Sequence, residues 1–87
     1  MKMSTTEIKL TSALREAGRR FQTGRSVDLD LLRQLIEPYR EQRPVLCVKL
    51  LDLVQKAEAA GARGDRPSGL KYYGAAVGTA VEELKHR

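Results

Sequence analysis

The chain has no tryptophan, one phenylalanine (Phe21), one histidine (His86) and one cysteine (Cys47), and each scarcity removes a class of chemistry. A lone histidine, placed beside a terminus expected to fray, assembles neither a nucleophile–base pair nor a histidine metal cluster. A lone cysteine forms no internal disulfide and offers no second thiolate to zinc. Its setting in the apolar run Val45-Leu46-Cys47-Val48 reads as a packed thiol, which suits a reducing compartment. The three tyrosines are too few for the stacked aromatic platform of an RNA-binding sheet. No apolar stretch approaches the roughly 20 residues that span a bilayer. Met1-Lys2-Met3-Ser4 leads into a mixed pattern without the apolar segment of a secretory leader, so the expected location is cytoplasmic. Glu82 and Glu83 are adjacent and diverge on a helix, a poor arrangement for paired acid–base work, and both are expected to be solvated. These absences predict a protein without catalysis, metal, cofactor or membrane contact.

What is present is aliphatic side chains and charge. The 87 residues fit one domain, and 41% hydrophobic content allows an aliphatic core of modest size. The formal charge of +5 is concentrated at the two ends, while the middle third is slightly acidic. A basic field of this kind favours acidic partners.

Apolar periodicity predicts helices throughout. Ser4-Thr5-Thr6-Glu7 has the form of a capping box, with Met3 and Ile8 as its hydrophobic staple, and Leu10, Leu14, Ala17 and Phe21 repeat at helical spacing up to Gly24, so the first helix is expected at about residues 5–22. Ser26 or Asp28 caps a second, at about 28–37, carrying Leu29, Leu32, Leu35 and Ile36, and Pro38 should stop it or kink it. Pro44 suits the first turn of a third helix, at about 44–60, whose apolar circumference leaves only a stripe of Lys49, Asp52 and Lys56 and should make it the central one. Three glycines and a proline make residues 61–69 read as a flexible loop. Ser68 then caps a last helix, at about 69–85, with Leu70, Tyr73, Val77, Val81 and Leu84 as its buried stripe. The expected fold is all-α, a small four-helix bundle or orthogonal array in a single domain.

Three groups of residues are candidate sites. Arg15, Arg19, Arg20 and Arg25 crowd one segment with Glu16 as the only acid among them, and the like charges of Arg15 and Arg19, four residues apart, favour a partner that neutralises them. Gly74 and Gly78 lie one turn apart inside a helix, where each costs about 1 kcal/mol relative to alanine. With Ala75, Ala76 and Ala80 they offer a small-residue surface for close helix approach, first within the domain and otherwise across an interface; Tyr72, about 100° from the buried stripe, would anchor such a contact. Arg63, Arg66, Ser68 and Lys71 surround a helix start and form a candidate anion site, although their spacing matches no phosphate-loop motif. Arg63-Gly64-Asp65 spells an adhesion tripeptide, which in this context is a chance match.

The expected function is that of a small non-enzymatic helical binding protein, an adaptor, inhibitor or accessory subunit. It would engage a protein with an acidic surface through the basic first helix and the last one. The alternative is a nucleic-acid-binding regulator contacting phosphates through Arg15 to Arg25. A long loop before the last helix argues against a helix-turn-helix. A homodimer is a further option.

Overall fold

The computed structural model describes residues 5–85, which form α1 (Thr5–Gln22), α2 (Leu29–Ile36), α3 (Tyr39–Gln42), α4 (Pro44–Ala62) and α5 (Arg66–Lys85). Among the described residues there is no strand, and the fold is the expected small all-α bundle. The capping box at Ser4 and the staple at Met3 lie outside the described residues, as does His86.

Local chemistry sets the boundaries. Gly24, at φ 76°, ends α1: the Gly24 N–H donates to the Phe21 carbonyl and the Arg25 N–H to that of Arg20, the paired bonds of a Schellman cap. Asp28 caps α2, its Oδ1 accepting the Leu31 N–H at 3.0 Å. Pro38 separates α2 from the single turn of α3, and Pro44 occupies the first turn of α4, where its missing N–H is not needed.

The expected loop at 61–69 is instead a turn of three residues, Arg63, Gly64 and Asp65. Gly64 repeats the cap of α1 at φ 74°, with the Gly64 N–H on Gly61 and the Asp65 N–H on Ala60. Asp65, not Ser68, caps the next helix: its Oδ1 accepts the Ser68 N–H at 3.3 Å, which puts Pro67 harmlessly in the first turn. Gly61 and Gly69 are helical, and both face Phe21, whose ring fills the space a β-carbon would take.

Two antiparallel pairings build the bundle. The Arg43 guanidinium donates to the Glu83 carbonyl and Lys49 Nζ lies 3.3 Å from Glu83 Oε1, fixing α4 against α5. Glu83 remains partly solvated, as expected, while also pairing with Lys49. Gly18 faces Tyr73 and Phe21 covers Gly69, fixing α1 against α5. α4 also packs on α2 and α3, as a central helix should. Its apolar circumference is not all covered, since Val45 and Val48 are 64% and 63% exposed.

The core comprises Leu10, Leu14 and Ala17, then Leu32 and Ile36, then Leu46, Cys47, Leu50 and Val54, and finally Tyr73, Ala76, Ala80 and Leu84. The last group corrects the expected register of α5. Leu70, Val77 and Val81 are only half-buried, while Gly69, Ala76 and Ala80 face inward. α5 packs along α4 and α1 together, and with Ala57 and Ala60 also buried on α4, the smallest side chains occupy the closest approach.

Candidate functional site

A groove of about 320 Å³ runs between α1 and α5. Leu14 and Gly18 form one wall, Leu70, Gly74 and Val77 the other, and Arg15 and Gln22 supply its polar groups. The α5 register explains why it is apolar: turning alanines to the core rotates Leu70 and Val77 to the seam. Gly18 keeps the helices close, since a β-carbon there would sit 3.4 Å from Tyr73 Cβ. Gly74 keeps the groove open, because nothing lies within 4 Å of where its β-carbon would stand.

The four N-terminal arginines differ in their settings. Arg19 and Arg20 straddle Glu16 at 3.1 and 3.6 Å, and exposed pairs of this kind contribute about 0.2–1 kcal/mol. Arg15, without an ion pair among the described residues, lines the α1–α5 groove. Arg25 lies beyond the α1 cap, where it borders a second cavity with Arg66. The structure thus joins Arg15 to Gly74 and Arg25 to Arg66, members of groups that sequence spacing keeps apart.

The candidate anion site at the start of α5 is not assembled as expected. The Ser68 N–H is held by Asp65, which also lies 3.7 Å from Arg63 Nη2, so an internal carboxylate already occupies that helix start. The Ser68 and Arg63 bonds hold the Asp65 carboxyl below its ordinary range, the Ser68 contribution being the larger. Lys71 is exposed and does not line the cavity that Arg66 borders.

The small-residue surface also divides. Ala76 and Ala80 pack in the core, but Gly74 and Gly78 face open space, with nothing within 4 Å of where their β-carbons would stand. Tyr72 is half-buried, packed against the core. The Lys56 ammonium pairs with Asp52 at 3.0 Å, its main stabilising partner. Lys49 reaches across to α5 instead of pairing within α4.

Sequence reasoning missed Leu14, Gly18 and Val77 as groove residues. The available signal was Gly18, a glycine inside a strongly periodic helix. Among the described residues, no cluster of three His, Cys, Asp or Glu side chains is placed to hold a metal, and no helix is long and apolar enough to cross a membrane. The chain matches no protein-family model, no curated protein and no solved structure, so its own geometry carries the functional reading.

Proposed function

We propose that this is a small non-enzymatic helical binding protein that takes an apolar, acidic segment of a partner protein into the groove between α1 and α5. One observation carries the reading: Arg15, without an ion pair among the described residues, stands at an apolar groove that Gly74 leaves open. The basic field of the chain steers an acidic partner. Arg15 then pairs with a carboxylate at the groove, while apolar side chains of the partner are buried against the half-exposed Leu70 and Val77. Close charge pairs across such interfaces have coupling energies of about 1.5 kcal/mol upward.

The reading as a nucleic-acid regulator has less support. Of Arg15, Arg19, Arg20 and Arg25, two are already paired to Glu16, and Arg25 lies beyond the helix at a second cavity. The short turn removes the loop-length objection to a helix-turn-helix, but α4 and α5 pack antiparallel along their length, whereas that motif needs crossed helices.

Affinity capture with wild-type protein, Gly74→Leu and Arg19→Glu tests the proposal. A partner retained by wild type and Arg19→Glu but lost by Gly74→Leu supports it. Salt-dependent binding to mixed-sequence duplex DNA, unchanged by Gly74→Leu, would overturn it in favour of phosphate contacts.

A further inference from the structure

Phe21, Gly24, Arg25, Gly61, Gly64 and Arg66 line a cavity of about 230 Å³ where the cap of α1 meets the α4–α5 turn. It is separate from the α1–α5 groove. Arg25 and Arg66 come from segments far apart in sequence, and neither has an ion pair among the described residues. Arg66 Nη2 reaches across to within 3.8 Å of the place where a β-carbon on Gly24 would stand. No carboxylate lines the cavity, and that of Asp65, next to Gly64, is engaged by the Ser68 N–H and Arg63.

Helix C-termini oppose an anion here, because the ends of α1 and α4 border the cavity. Each is equivalent to a charge of about −0.5, and the Asp65 carboxylate already neutralises the start of α5, whereas the guanidinium groups of Arg25 and Arg66 carry whole positive charges. The field in the cavity is therefore net positive. The two Schellman caps reinforce this, since the carbonyls of Arg20, Phe21, Ala60 and Gly61 each already accept an N–H.

We infer that this cavity binds a terminal phosphate group. A carboxylate is satisfied by one guanidinium fork, whereas a dianionic phosphate monoester uses two from opposite sides. The volume is below the roughly 300 Å³ at which sites for whole drug-sized ligands begin, so the phosphate enters and the remainder of the ligand stays outside. The absent side chains of Gly24 and Gly64 leave room for that approach, and the ring of Phe21 forms an apolar wall.

Titration of 15N-labelled protein with inorganic phosphate and with phosphoserine tests this, the amides of Gly24, Gly61 and Gly64 serving as reporters. Saturable shifts confined to those glycines and their neighbours are expected with both probes. Arg25→Gln and Arg66→Gln should each weaken binding about tenfold or more, corresponding to loss of a charge-assisted contact of roughly 1.4 kcal/mol. Arg15→Gln should leave it unchanged, and unchanged circular dichroism confirms that each variant is folded. Shifts that chloride reproduces at equal ionic strength, or that persist in the Arg25→Gln, Arg66→Gln double variant, would overturn the inference. So would tighter binding of a short duplex, whose phosphates are internal diesters, at the same three glycines. The results with phosphate, phosphoserine and chloride leave the groove proposal untouched, because neither Arg25 nor Arg66 lines that groove, whereas duplex binding would count against both.

Discussion

The ring of Phe21 occupies the space above Gly69 that a β-carbon would fill, and its Cε2 lies 2.9 Å from where a β-carbon on Gly61 would stand. The same ring sits 5.5 Å from that of Tyr73 in a tilted pair, so it has little freedom to withdraw. Glycine at 69 is therefore a packing requirement, and Gly74 and Gly78, with nothing within 4 Å, are not.

Alanine substitution should consequently have opposite signs along one helix. Gly69→Ala gains about 1 kcal/mol of helix propensity but overpacks the Phe21 contact by roughly 1–3 kcal/mol, for a net loss of stability. Gly78→Ala should stabilise by about 1 kcal/mol, because its helical conformation suits alanine and no neighbour is met. Urea midpoints compare the two, and Phe21→Leu should recover part of the loss in Gly69→Ala. A stabilising Gly69→Ala would refute the packing account.

Asp65 links the cap of α5 to pH. Its carboxyl is held below the ordinary 3.8, chiefly by bonds from Ser68 and to a smaller extent by Arg63. A depressed folded-state pKa contributes stability above the unfolded value and loses it as pH falls through the folded value. Wild type should therefore lose stability below about pH 4 more steeply than Asp65→Asn, which retains an oxygen for the Ser68 N–H without the charge. Parallel melting-temperature curves from pH 7 to pH 2 would contradict the assignment.

Glu83 receives two cations from the start of α4, and they should not count equally. The half-buried Arg43 guanidinium donates to the Glu83 main-chain carbonyl, whereas Lys49 reaches the carboxylate from an exposed position. Hydrogen bonds from charged groups contribute about 1.5–3 kcal/mol and exposed ion pairs less than about 1. Arg43→Ala should thus open the last turn of α5 to hydrogen exchange, and Lys49→Ala should change protection little. Equal exchange in the two variants would show that the carbonyl contact does not hold the helix end.

Much of the fold was legible in the sequence where local chemistry decides it. Gly24, Asp28, Pro38 and Pro44 each mark a boundary that the structure keeps, because each acts through its own backbone geometry or side-chain cap. Gly61, Pro67 and Gly69 misled, since local propensity reads them as loop, whereas the Asp65 cap starts a helix that runs through Pro67 and Gly69, and the Phe21 ring packs where β-carbons at 61 and 69 would stand. The register of α5 was hidden for a similar reason: burial of Ala76 and Ala80 instead of Val77 and Val81 depends on how closely two other helices approach. The candidate sites followed the same division. Arg15 and Gly74 were visible as residue types, but their meeting at one groove depends on the antiparallel pairing of α1 and α5.

The single thiol offers a direct measure of that packing. Cys47 is fully buried on α4, and its own N–H already donates to the Arg43 carbonyl at 3.0 Å. A serine hydroxyl at this position could reach only the Arg43 and Pro44 carbonyls of the preceding turn, as Thr11 reaches those of Glu7 and Ile8, and would otherwise sit among apolar side chains. Cys47→Ser should therefore cost about 1–3 kcal/mol, more than Cys47→Ala, which buries no polar atom. In the wild type, a thiol reagent should react only through the opened chain, with a rate that rises with urea in step with unfolding. Rapid labelling of the native protein, independent of urea, would mean that α4 opens locally and that the core around Leu46 and Leu50 is looser than its burial implies.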